Sequence, residues 1–218
     1  MTFSILATDP ESGRIGGAAA TGSLCVGGWV LRADPGAGAS ASQGAAPSTF
    51  WGEDVLRYMR EGLSAEAAVR RAVLADTGRE ARQLAAIGRD GGTGLFTGRD
   101  NTDAKGSRSG PGLVVSGNLL SDAAVIDTIF EGFLGSNGDF AERLLAALKA
   151  GERAGGDSRG LKSAALLIVG PDIAPLTLRI DCSDRPLPDL EALHRATQEP
   201  GYAAWMKTVP VPSDRMRR

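Results

Sequence analysis

Strand-like runs in this chain come in blocks, and the helices between those blocks come in pairs. Apolar or alternating segments at residues 2–8, 14–20, 24–31 and 37–43 read as four strands, the first two joined by the turn Asp9-Pro10-Glu11-Ser12-Gly13. Ser48 or Thr49 then opens a helical run over about 50–61, Gly62 breaks it, and Ser64 starts a second over about 64–76. Three short strands are expected at 83–87, 94–97 and 113–116, with 88–92 a hairpin turn and 99–109 a polar loop. A further helix pair at 122–134 and 139–150 precedes two strands at 163–169 and 176–180. A doubly wound parallel sheet alternates strands with single helices, so this order excludes it. The pattern calls for an α+β fold in which helix pairs cover two stacked, mainly antiparallel sheets, with Phe3, Ile5, Ala18, Ala20, Leu166 and Ile168 facing covered layers. One domain is expected over 1–198: a helix at 189–198 closes it, and 199–218 is an irregular tail carrying Tyr202, Trp205 and Met206. Those large apolar side chains suit either packing onto the tail's own domain or a clasp in a homodimer or higher homo-oligomer.

Composition removes several function classes. With 24 basic against 26 acidic residues and no basic run before Arg215, nucleic acid is not an expected partner. No apolar stretch approaches the roughly 18 residues that cross a bilayer, and the N-terminus does not read as a signal peptide, so no membrane association and a cytoplasmic location are expected. The chain contains one histidine and two cysteines, too few for a multi-histidine or zinc-thiolate centre, and no metal or cofactor is expected. Cys25 and Cys182 read as reduced thiols and His194 as a surface side chain. A Ser-His-Asp triad would have to use His194, which lies on a late, polar helix. A hydroxyl nucleophile that does without histidine remains. Thr2 becomes one if Met1 is removed, because a terminal α-amino group titrates near about 7.7–8.0 and can take the hydroxyl proton.

The opening Met1-Thr2-Phe3-Ser4-Ile5 and the stretch from Gly156-Asp157-Ser158-Arg159-Gly160 through Leu167 resemble the bacterial family known as domain of unknown function 1028. The small-residue strand ending at Gln43, Phe96-Thr97-Gly98, Val115-Ser116-Gly117-Asn118-Leu119 and Leu178-Arg179-Ile180-Asp181 agree with it, so the likeness covers about 1–195. That family is placed in the N-terminal-nucleophile (Ntn) hydrolase superfamily, which implies a four-layer αββα sandwich. The segment 41–51 is distantly similar to the glycine-alanine segment of proteasome β-subunits.

By that likeness the Gln43 backbone N–H, with Asn118 as a second donor, would hold an oxyanion, Gly44 would let the backbone approach a bound carbonyl, and Ser116-Gly117-Asn118 would be a turn facing the nucleophile's amine. Ser163 begins the matching late strand. Thr21, Ser42 and Arg159 fall among the substrate-contacting positions. Proteasome β-subunits carry an aspartate where this chain has Thr21 and a lysine on the third strand, where Arg32 is the nearest cation. Asp157 and Arg159 are candidates to replace that pair, and equally for a structural salt bridge. The implied activity is hydrolysis of a non-peptide C–N bond in a small-molecule amide. The alternative is a non-catalytic αββα protein for binding or assembly, since fold does not fix function.

Overall fold

A computed structural model describes residues 2–218, so Met1 and its removal lie outside the described residues. Ten strands form two antiparallel sheets. The first holds six strands in the order β10-β9-β2-β1-β8-β7: β1 Thr2–Asp9, β2 Arg14–Thr21, β7 Gly106–Gly110, β8 Leu113–Asn118, β9 Ser163–Val169 and β10 Leu176–Ile180. The second has the order β3-β4-β5-β6: β3 Leu31–Asp34, β4 Gly38–Gly44, β5 Arg82–Gly88 and β6 Thr93–Thr97. Seven α-helices lie among the described residues: α1 Val26–Trp29, α2 Thr49–Arg60, α3 Ala65–Leu74, α4 Ala124–Leu134, α5 Phe140–Arg153, α6 Pro186–Thr197 and α7 Pro200–Met206. No helix is long and apolar enough to cross a membrane among these residues.

Period-2 alternation sorts the strand residues into three apolar clusters. Phe3, Ile5, Ala18, Ala20, Leu166 and Ile168 meet Ile129, Phe133, Leu144, Leu148 and Leu190 from α4, α5 and α6, so all six expected core positions are buried on one face of the larger sheet. Its other face sends Leu6, Ile15, Ala19, Val114 and Ala165 toward Ala39, Ala41, Ala85 and Ile87 of the smaller sheet. The outer face of the smaller sheet packs Leu84 and Ala86 against Trp51, Val55, Ala68 and Val69 of α2 and α3. Local signals explain the helix starts. Ser64 accepts a hydrogen bond from the Ala67 N–H, and Asp139 and Glu142 form a reciprocal capping box at the head of α5.

Four expectations are corrected. The run 24–31 is not a strand: Cys25 adopts a left-handed conformation (φ 62°), one helical turn follows as α1, and β3 begins only at Leu31. A Cβ on Gly27 would lie 2.7 Å from both the Ala165 Cβ and the Arg179 Cγ, so the turn sits flush against β9 and β10 where a side chain would not fit. The end of the polar loop 99–109 belongs to β7, whose Gly-Ser-Arg-Ser-Gly sequence has no apolar signal and is ordered by pairing with β8. His194 is not on the surface. It falls four residues after Leu190 and seven after Leu187, on the face of α6 that packs inward, and is 5% exposed. The tail is not irregular throughout: it holds α7, then returns to its own domain with Val211 buried and the Ser213 N–H donating to Pro171 O at 2.8 Å, leaving Tyr202 and Trp205 exposed.

Candidate functional site

At one end of the inter-sheet layer the apolar pattern stops in six strands at once. On β1 the inward positions run Leu6, Ser4, Thr2; on β8, Val114, Ser116, Asn118; on β2, Ala19, Thr21; on β9, Ala165, Ser163; on β4, Ala41, Gln43; and on β5, Ala85, Gln83. Register holds these terminal residues together, because Thr2 pairs with Asn118, Thr21 with Ser163 and Gln43 with Gln83. All six are buried. Buried polar groups need partners, so the terminal layer is built around hydrogen bonds where the middle is built around methyl groups.

Gln83 organises it. Its Nε2 lies 3.0 Å from both Gly106 O and Gly117 O and 2.9 Å from Thr97 Oγ1, and because carbonyls only accept, the amide nitrogen must face them. Gln83 Oε1 is thereby fixed as an acceptor and takes N–H groups from Gln43 (2.8 Å) and Asn118 (3.0 Å). Gln43 Nε2 also reaches the backbone carbonyl of Thr2 at 3.3 Å, leaving Gln43 Oε1 buried without a partner among the described residues. Orientation therefore passes from two backbone carbonyls through Gln83 to the side chains around Thr2. The Thr2 hydroxyl donates to Thr21 Oγ1 at 3.3 Å, and Thr21 Oγ1 accepts the Ser23 N–H at 3.3 Å.

A charged corner supports this neutral network from behind. The Asp157 carboxylate is buried and accepts from the Gly22 N–H, from the Arg159 N–H at 2.8 Å and from the Arg159 guanidinium at 3.2 Å. Ser163 Oγ donates to Ser23 O at 2.8 Å and accepts the Val26 N–H at 3.1 Å. Both residues thus shape the segment from Thr21 to Val26. Arg159 completes the corner with a 3.3 Å contact from Nη2 to Ser23 Oγ.

The polar end opens into a cavity of about 720 Å³. Of the residues singled out from the sequence, Thr2, Thr21, Gln43, Gly44, Asn118 and Arg159 line it. Gly44 has φ +133°, and a Cβ there would come within 2.7 Å of Ala81 O, so the wall passes close to β5 only because this position lacks a side chain. Asp157 and Ser163 are not brought to the cavity surface, and Ser42 faces away, its hydroxyl donating to Ser48 O at 2.6 Å beside α2. Arg32 is likewise elsewhere, bonded to Gly28 O and Leu31 O and 3.5 Å from Glu53. Sequence reasoning missed Gln83, Thr102, Trp29 and Leu119. Leu119 lines the cavity at φ 55°, a conformation costing about 1–2 kcal/mol for a residue with a Cβ, and such strain concentrates at functional sites. A second cavity, of about 750 Å³, lies at the opposite strand ends beside Asp34, Arg89 and Pro171, away from Thr2.

The arrangement presents a hydroxyl, several neutral N–H donors and one guanidinium to a small-molecule-sized space. Among the described residues no group of three or more His, Cys, Asp or Glu side chains is placed to hold a metal ion. No curated protein matches the chain. The chain is similar to protein SPO2555 from Silicibacter pomeroyi, with 53% sequence identity, a TM-score of 0.95, and coverage of 99% of this chain and 98% of that one; the crystal structure of that protein is described with the same domain of unknown function. Residues 2–190 match the family described as Family of unknown function (DUF1028), to which this chain therefore belongs.

Proposed function

We propose that this chain is an Ntn amidohydrolase that cleaves the C–N bond of a small amide, with Thr2 as nucleophile after removal of Met1. The observation that carries the proposal is the position of Thr2. It stands at the start of β1, on the wall of a cavity, with its hydroxyl beside Thr21 and its carbonyl held by an amide whose orientation is fixed. The succession of α4–α6, six-stranded sheet, four-stranded sheet and α2–α3 supports it, being the order of layers in an αββα sandwich. In this mechanism Thr2 Oγ forms a bond to the substrate carbonyl carbon while its proton passes to the free α-amine. The Gln43 backbone N–H and Asn118 hold the oxyanion, the C–N bond breaks, and the leaving nitrogen takes the proton. Water then cleaves the ester and restores Thr2.

A second reading, a binding or assembly protein that keeps the fold without turnover, is favoured by one feature. Thr21 stands where proteasome β-subunits carry an acid, and Arg32 is committed to Glu53 and backbone carbonyls. The two readings separate in a screen of small amides and ureides for release of ammonia or amine, using protein whose intact mass establishes Thr2 at its N-terminus. Thr2→Ala should abolish turnover while retaining the folded circular-dichroism spectrum, and the wild-type rate should rise as pH passes the amine's value of about 7.7–8.0. Turnover by Thr2→Ala, or full turnover with Met1 retained, overturns the mechanism.

A further inference from the structure

Among the described residues fifteen line the Thr2 cavity, and Arg159 is the one ionisable side chain of these; the rest are neutral polar residues, glycine, alanine or larger apolar residues such as Leu24, Val26, Trp29, Val30, Pro47 and Leu119. Its ion-pair partner, Asp157, is buried behind the wall, and that carboxylate is already served by the Gly22 and Arg159 backbone N–H groups. Arg159 contacts Asp157 and Ser23 through Nε and Nη2, while its side chain stays 44% exposed. A guanidinium has five N–H donors, and with Nε and Nη2 given to Asp157 and Ser23 the two N–H groups of Nη1 remain for a further acceptor. Its distance from the reacting end is short in chemical terms: Arg159 touches Ser23, the Ser23 N–H donates to Thr21 Oγ1, and Thr21 Oγ1 accepts from the Thr2 hydroxyl.

We infer that the substrate of this cavity carries a carboxylate, bound by Arg159, a few bonds from the amide presented to Thr2. This rests on the cavity being the substrate site of the proposed hydrolase. The buried Asp157 makes the inference sharper, because it fixes the fork in one place and satisfies one edge, so that binding an anion requires little reordering of a long side chain. The apolar wall of Leu24, Trp29 and Pro47 would take the remainder of the molecule. A cationic amide would meet only the guanidinium and is disfavoured.

The test is binding to the full-length protein, followed by ligand-observed NMR, of two matched pairs: N-acetylglycine against N-acetylglycinamide, and N-benzoylglycine against N-benzoylglycinamide. Each pair shares the same secondary amide and differs only in the terminal group, a carboxylate against a neutral carboxamide. At least one carboxylate should bind about tenfold or more tighter than its neutral partner. Arg159→Lys should keep part of that preference and Arg159→Gln lose it. Because Arg159→Gln strands a buried carboxylate, the double variant Asp157→Asn/Arg159→Gln provides the same comparison without an unpaired charge. Equal binding within both pairs, no binding of any probe, or a preference that survives in the double variant overturns the inference. Hydrolysis appears as new product signals in the same spectra. Carboxylate-selective binding without those signals leaves the inference standing while counting against the hydrolase, and hydrolysis without selectivity does the reverse.

Discussion

The middle and the end of the inter-sheet layer are made by the same six strands and obey opposite rules. In the middle, Ala19, Ala39, Ala41, Ala85 and Ala165 give the two sheets small, featureless surfaces that approach closely. Two residues further along β2, β4, β5 and β9, Thr21, Gln43, Gln83 and Ser163 replace them, Thr2 and Asn118 lie four residues past Leu6 and Val114 on β1 and β8, and burial there depends on directed hydrogen bonds. Non-directional packing tolerates small displacements, whereas a network of oriented amides admits one arrangement. The molecule thus places a rigid, slippage-resistant polar end on a layer whose interior only needs to exclude water. Strained backbone occurs at this end as well, at Leu119 and at Cys25 between the cavity residues Leu24 and Val26.

Making the polar end resemble the middle breaks that contrast, and the cost should depend on whether the altered group has partners. Gln83→Leu carries the apolar pattern of β5 one step further and leaves the Gln43 and Asn118 amides and two backbone carbonyls without their shared partner. Each stranded group costs about 1–3 kcal/mol, so the variant should lose about 3 kcal/mol or more in urea denaturation, with loss of any activity that depends on Gln43 and Asn118. A loss below about 1 kcal/mol would show that the network does not organise this end.

Ser4→Ala makes an equivalent change on β1 with the opposite expectation. Its hydroxyl is buried without a hydrogen-bond partner among the described residues, so removing it should leave stability unchanged or raise it by less than about 1 kcal/mol. Destabilisation by more than that would mean the Ser4 hydroxyl makes an interaction essential to this layer.

How much of this was legible in the sequence differs between the two regions. The middle is legible only indirectly: period-2 spacing puts Phe3, Ile5, Ala18, Ala20, Leu166 and Ile168 on one covered face, which packs against α4, α5 and α6, so alternating residues such as Ala19 and Ala165 take the inter-sheet side. Five of the six polar strand ends are named from the sequence, Thr2 from its place beside a potential terminal amine and Thr21, Gln43, Asn118 and Ser163 only by likeness to proteasome β-subunits. Gln83 was passed over, although it begins a strand that was expected at the right place, because its importance arises from pairing with Gln43 forty residues earlier, and pairing is not written locally. Conversely, Ser42 and Ser163 carry attractive hydroxyls that the folded backbone turns toward Ser48 and Ser23. Strand β7 and the turn α1 escaped for the same reason, being imposed by neighbours rather than by their own residues.

The central claim is that the polar end exists to present Thr2 as a nucleophile, and covalent trapping tests it most directly. A β-lactone keeps its entire mass when a hydroxyl opens its ring, since the attacking oxygen forms an ester and the ring oxygen becomes a hydroxyl. Intact-mass analysis of protein beginning at Thr2 should show one adduct of the full lactone mass, mapped by fragmentation to the Thr2 side chain, forming faster as pH rises through about 8 and absent from Thr2→Ala. An unmodified Thr2, with the protein unlabelled or labelled only at Cys25 or Cys182, would contradict it.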